Sequence, residues 1–139
     1  MKISVIVLSL LLSLNTFAEC LDLSGEYLSS AYGGTVEEII QTDCDKMTIL
    51  VKTIETNEII VRFDWRTDGT LQRNLASDEF IYGIHSKDFF EWNLFDQGRG
   101  AVTKAKEYLN EKGDLVRELT LIDRYGYEQY QTKTLRRFK

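Results

Sequence analysis

The fold is decided by residues 20–44, CLDLSGEYLSSAYGGTVEEIIQTDC. Residues 23–30 and 35–42 both have the composition of β-strands, and Ala31-Tyr32-Gly33-Gly34 separates them. Paired glycines adopt positive φ at little steric cost, so this separator is typical of a hairpin turn. The stretch therefore predicts two antiparallel strands at the start of the domain.

The two cysteines of the chain bracket this hairpin. In an antiparallel pair the numbers of facing residues have a constant sum, and Cys20 and Cys44 give 64, which centres the turn on residue 32. The turn and the cysteines thus predict the same register, with a Cys20–Cys44 disulfide. The chain-entropy model assigns a loop of this length about 3 kcal/mol. Two free thiols are the alternative, which an oxidising compartment disfavours.

Residues 1–18 are predicted to be a secretory signal peptide. Lys2 is followed by an apolar run at 3–14, and Thr16 and Ala18 supply the small residues that precede a cleavage site. The run is too short for a membrane span of about 20 residues. Glu19 stands where a lipoprotein signal has a small residue. We expect cleavage after Ala18 and a soluble bacterial product that is periplasmic or secreted.

Residues 19–139 are long enough for one domain with a core of its own, and we expect a monomer. Without Lys2, the 17 basic residues become 16, which against 22 acidic residues gives a net charge of −6. This balance argues against nucleic acid and anionic membranes as partners, and it is compatible with a basic protein partner.

The rest of the chain shows period-2 alternation of apolar residues, which predicts half-buried strands. It is clearest at 58–66, where Val61, Phe63 and Trp65 lie on one face. Residues 79–87 are predicted to turn Phe80, Tyr82 and Ile84 inward. Further strands are predicted at 46–53, 70–74, 89–95, 115–123 and 127–138.

Residues 101–111 are ambiguous, because their apolar residues fit both a strand and a helical stripe. Whether this segment is a strand or a helix, the predicted fold class is all-β. The short spacing of the strands predicts an antiparallel up-and-down meander of about 8–10 strands, closed or nearly closed into a barrel.

Leu23-Ser24-Gly25-Glu26-Tyr27 resembles the Gly-x-Trp opening of the calycin superfamily, which comprises lipocalins and avidins. The aromatic residue here is Tyr27, where those families have Trp. The resemblance implies a barrel that binds a small, mostly apolar ligand. It also implies that a basic residue near the end of the barrel, Arg136 or Arg137, packs on Tyr27.

Aromatic residues are abundant, and two interpretations of them stay open. They either fill the barrel entirely or leave a pocket. The pocket hypothesis names four ligand-binding residues: Tyr27, Trp65, Tyr82 and Trp92.

Other chemistry has little support in the sequence. His85 is the only histidine and is expected to lie at the surface or rim. No metal site, catalytic residue or cofactor is predicted, since the cysteines are used in the disulfide and no nucleophile motif is present.

Two functions from different classes remain. The first is a non-catalytic barrel that binds a small apolar or amphipathic ligand. The second is a protein-interaction module, such as a periplasmic inhibitor of a lysozyme-like hydrolase, with residues 97–100 as its contact loop. The negative charge would steer it toward a cationic enzyme.

Overall fold

A computed structural model describes residues 19–29, 33–74 and 78–139 of the protein. The predicted signal peptide at 1–18 and the turn residues Ala31 and Tyr32 lie outside these ranges. The described residues form ten β-strands: β1 (Gly25–Leu28), β2 (Thr35–Thr42), β3 (Lys46–Thr53), β4 (Ile59–Arg66), β5 (Gln72–Asn74), β6 (Glu79–His85), β7 (Phe90–Asp96), β8 (Ala101–Leu109), β9 (Leu115–Ile122) and β10 (Glu128–Leu135).

The strands form two antiparallel sheets, in which neighbours in the chain are neighbours in space. Strands β1 to β4 make one sheet in sequence order, and β5 to β10 make the other. This topology is the up-and-down meander that the sequence predicts, and the all-β fold class is confirmed. The ambiguous segment 101–111 contributes strand β8, which pairs with β7 and β9.

The first hairpin has the predicted register. Gly25 pairs with Ile39 and Tyr27 pairs with Glu37. The predicted disulfide is present, and it joins Cys20 to Cys44 with their Cα atoms 5.8 Å apart. It ties the segment before β1 to the turn after β2, so the hairpin is fixed at its open end.

At one seam the first and last strands bring the two sheets together. Tyr27 forms a β-bridge with Arg137, and the backbone N–H of Phe138 donates to the carbonyl oxygen of Glu26 at 2.7 Å. The guanidinium of Arg137 lies 5.7 Å from the centre of the Tyr27 ring. Arg137 is therefore the basic residue that packs on the aromatic of the first strand.

The other seam is bridged by the segment that follows β4. Thr67 donates its backbone N–H to Asp45 at 2.8 Å and accepts one from His85 at 3.3 Å. Two residues later, Gly69 donates to Gly83 at 2.8 Å. The strands β4 and β5 themselves lie at the edges of different sheets. The result is a nearly closed barrel.

An apolar core fills one end of this barrel. Its fully buried members come from both sheets: Leu23, Tyr27, Ile39, Met47, Phe90, Leu115 and Leu135. Gly83 lets the Phe90 ring lie across β6, because a Cβ at that position would be 2.9 Å from the ring. Along β3 and β7 the core residues Met47 and Phe90 stand at one end of each strand. The inward residues farther along line a cavity instead.

Candidate functional site

A cavity of about 780 Å³ lies between the two sheets, next to the apolar core. Its walls are largely apolar. They are formed by the side chains of Ile49, Val51, Phe63, Trp65, Ile81, Trp92 and Leu94. Phe63 is 51 % exposed, so the cavity is open to solvent beside β4. One end of the barrel is therefore filled by its own side chains, and the other end holds a pocket. Each of the two interpretations of the aromatic residues describes one of these ends.

The two tryptophans separate the core from the cavity. The ring of Trp65 meets Phe90 edge-on, with centroids 5.4 Å apart, and meets Trp92 at 5.9 Å. Edge-to-face contacts at these distances stabilise aromatic pairs beyond the area they bury. The two indoles thus form a packed floor for the cavity. Because they are only partly buried, part of their aromatic surface lines the cavity.

A buried charged cluster stands beside this floor, and it consists of Glu37, Glu107 and Arg117. Nε of Arg117 donates to Oε1 of Glu107 at 2.6 Å, and its Nη2 donates to Oε1 of Glu37 at 2.5 Å. Glu107 is 1 % exposed. The three residues sit on β2, β8 and β9, so the cluster ties the two sheets together across the barrel.

Burial alone would lower the pKa of Arg117, because it penalises the charged form. The carboxylates of Glu107 and Glu37 outweigh this effect, and the net shift of the Arg117 pKa is upward. The guanidinium therefore remains charged inside the barrel.

Two polar atoms at the cavity floor have no hydrogen-bond partner among the described residues. Trp92 donates its indole N–H to Oε1 of Glu107 at 2.8 Å, but Oε2 of the same carboxylate is buried and unpaired. The indole N–H of Trp65 is also buried and unpaired. Buried polar groups are nearly always satisfied, so each of these two atoms is expected to have a partner that the described residues do not supply.

The mouth of the cavity carries exposed ion pairs. Arg62 and Asp64 interact within β4 at 2.6 Å, and Arg73 reaches Asp78 at 3.2 Å. Gln72 fastens the end of β4 to β5, since its side-chain amide both donates to and accepts from the backbone of Arg66. Charged groups at the rim and apolar walls inside are what an amphipathic molecule requires.

Of the four residues predicted to bind a ligand, the structure brings two to the cavity. Trp65 and Trp92 line it. Tyr27 is fully buried in the apolar core, where its hydroxyl donates to the carbonyl of Leu23 at 2.8 Å. Tyr82 pairs with Asn93 and lies on the outer face of β6. A direct role in ligand binding stays a prediction for all four.

The predicted faces of β6 are wrong. Gly83 pairs with Trp92 and His85 pairs with Phe90, and both of these partners point inward. His85 is accordingly half-buried, with its ring centre 4.4 Å from that of Phe90. The outer face carries Tyr82 and the exposed Ile84, which can look like a core face because both are apolar.

The sequence interpretation missed the charged cluster, although a signal for it exists. Arg117 lies on the same face of β9 as the apolar Leu119 and Leu121, because these three residues alternate with Glu118 and Thr120. Glu107 likewise shares the parity of the buried Ala105 on β8. A charged residue in an inward position of a strand indicates a buried ion pair or a site.

Comparison with solved structures finds a similar barrel in a crystal structure of a mutant of the fluorescent protein UnaG. The TM-score is 0.55 at 19% sequence identity, and the match covers 81% of this chain and 78% of that chain. At this identity the likeness shows the fold alone. No protein-family model and no curated protein matches the sequence.

Proposed function

We propose that the protein is a non-catalytic, exported barrel that binds a small amphipathic ligand between its two sheets. The observation that carries this proposal is the cavity, which has tryptophans at its floor and unpaired buried polar atoms beside them. Trp65 and Trp92 are the residues we propose to contact the ligand.

The dimensions and chemistry of the cavity support binding. Ligand pockets are commonly 300–1,000 Å³, mostly apolar and equipped with a few polar groups that fix orientation. The cavity of about 780 Å³ falls within this range. Arg117 holds the carboxylates of Glu37 and Glu107, so these polar groups are arranged before a ligand arrives.

The non-catalytic part of the proposal rests on the kinds of residue present. Among described residues the cavity lining includes carboxylates and guanidiniums but no Ser, Thr, Cys, His or Lys. The innermost carboxylates, Glu37 and Glu107, are both engaged with Arg117. Such groups suit the orientation of a ligand better than proton transfer to it.

Export is supported by the disulfide, since such bonds persist in oxidising compartments. Within the described ranges no helix is long and apolar enough to span a membrane. Denatured mass spectrometry of protein expressed with its full sequence in a bacterium tests the proposal. A mature mass that begins at Glu19 and lacks two hydrogens is expected, whereas an uncleaved, reduced chain would contradict export.

Titration with the neutral, environment-sensitive dye Nile red tests ligand binding. We expect saturable enhancement of dye fluorescence with one site per chain. Ile81→Trp, which fills the cavity from β6, should weaken binding at least tenfold. Ile84→Trp adds the same bulk to the outer face of that strand and should leave it unchanged. No saturable binding, or equal loss in both variants, would contradict the proposal and favour the protein-interaction alternative.

A further inference from the structure

The charged cluster in the cavity carries an excess of negative charge. Arg117 supplies one formal positive charge against two negative ones from Glu37 and Glu107. The whole lining repeats this imbalance, with four carboxylates against three guanidiniums. The carboxylates belong to Glu37, Asp64, Glu79 and Glu107, and the guanidiniums to Arg62, Arg73 and Arg117.

The guanidinium of Arg117 is already occupied. Its Nε is bonded to Glu107, and both of its terminal nitrogens reach Glu37, at 2.5 and 3.4 Å. An acidic ligand would therefore have to displace a carboxylate from a charge-assisted, bidentate contact, the strong class of hydrogen bond. It would also enter a site whose charge is already negative.

The unpaired oxygen of the charged cluster, Oε2 of Glu107, is a hydrogen-bond acceptor without a donor among the described residues. Oε2 of Glu107 is buried and unpaired, and the Glu107 side chain is only 2 % exposed. A carboxylate oxygen can only accept a hydrogen bond, whereas an ammonium group offers three donors and no acceptor. Trp65 and Trp92 line the same cavity as Glu107, and Trp is the side chain that attracts cations most strongly.

From these features we infer that the cavity selects an amphipathic amine, with its cationic nitrogen donating to Oε2 of Glu107 and its apolar body against the tryptophans and aliphatic walls. This inference rests on the ligand-binding function proposed above and narrows its ligand class. The unpaired indole N–H of Trp65 is a donor, so it would face an acceptor on the ligand body or a water molecule.

Three ten-carbon competitors test the inference by displacing Nile red at pH 7: decylamine, decanol and decanoate. Amines are protonated and carboxylic acids ionised at this pH. We expect decylamine to displace the dye at a concentration at least tenfold lower than decanoate, with decanol between them.

Equal or tighter displacement by decanoate would overturn the inference, and so would failure of all three to displace bound dye. Decanol as effective as decylamine would overturn the assignment of a cation. Absence of Nile red binding would instead be a failure of the proposed function itself, which keeps the two failures distinguishable.

A pair of matched variants locates the selectivity. Glu107→Gln removes the charge at the cavity floor but keeps an oxygen for the indole of Trp92. It should reduce the preference for decylamine over decanoate about tenfold. Glu118→Gln makes the same charge change on the outer face of β9 and should leave the preference unchanged. If Glu107→Gln does not fold, Glu37→Gln removes the same excess charge. An unchanged preference in the folded variant would overturn the inference.

Discussion

Arg117 and Glu107 are direct cross-strand partners on β9 and β8, and their side chains meet inside the barrel at 2.6 Å. The same guanidinium reaches Glu37 in the opposite sheet, 80 residues away in the chain. Buried ion pairs of this kind add little to net stability when intact, but removal of one partner leaves an uncompensated charge. The cluster therefore positions the charged side chains of the cavity. It also makes the stability of the folded barrel depend on all three of its residues.

Replacement of the shared cation should destabilise the protein strongly. Arg117→Met keeps much of the side-chain volume but leaves the two buried carboxylates of Glu37 and Glu107 without a cation. We expect the free energy of unfolding to fall by about 3–5 kcal/mol, the usual effect of breaking a buried pair. Urea denaturation followed by tryptophan fluorescence measures this difference.

The control is Arg62→Met, which removes the cation from the solvent-exposed pair with Asp64. Exposed pairs contribute little, so its unfolding curve should nearly overlay that of the parent protein. An Arg117→Met curve that also overlays the parent would show that the cluster is not coupled to folding.

The disulfide should stabilise the barrel by restricting the unfolded chain. Replacement of both Cys20 and Cys44 by Ser is expected to lower the free energy of unfolding by about 3 kcal/mol for a loop of this size. Reduction of the parent protein with dithiothreitol should lower its urea midpoint to that of the double Ser variant. An unchanged midpoint after complete reduction would contradict the prediction.

Gly83 should not tolerate a side chain. A Cβ there would lie 2.9 Å from the ring of Phe90, which is fully buried and cannot move aside freely. Overpacking of this kind destabilises proteins by about 1–3 kcal/mol, so Gly83→Ala should lower the thermal midpoint. Gly98→Ala is the matched control in the exposed β7–β8 turn, where the nearest atom is 3.5 Å away. Equal midpoints for the two variants would count against the packing described here.

His85 should make the folded state sensitive to mild acid. Burial lowers the pKa of its imidazole below the ordinary value of 6.5, although the carbonyl of Cys44 partly opposes this shift. The unfolded chain then binds more protons than the folded one, and stability falls as the pH drops below about 6.5 through the lowered pKa of His85. Above about pH 6.5 the stability that depends on neutral His85 is fully present.

Unfolding free energies at closely spaced pH values between 7 and 5 check this prediction. As His85 is the sole histidine, the difference in slope between the parent protein and His85→Gln isolates its contribution. Parallel slopes for the two proteins in this range would contradict it.

Much of the fold is readable from local sequence, because strands and turns are local features. The predicted strands 35–42 and 46–53 coincide with β2 and β3. Glycine turns and the two cysteines fix the first register without any knowledge of the other strands. Segment 101–111 could not be assigned from the sequence, since its apolar residues fit both the period of a helix and that of a strand. Its pairing with β7 and β9 shows that it is a strand.

The candidate site is less predictable, because it depends on contacts between distant strands. The position of Trp65 follows from alternation in β4, but the face of Tyr82 depends on Gly83 making room for Phe90 from the next strand. Arg117 and Glu37 are 80 residues apart, and no local pattern pairs them. The presence of a cavity depends on how far the two sheets stand apart, which no single strand encodes.

We propose that a ligand occupies the cavity beside Trp65 and Trp92, which are the only tryptophans in the chain. The indole N–H resonances of ¹⁵N-labelled protein therefore report on this site without background. We predict that both resonances shift saturably as Nile red is added, at a stoichiometry of one dye per chain. Two resonances that stay in place while the dye is in excess, in a protein whose backbone amide spectrum remains folded, would contradict the account.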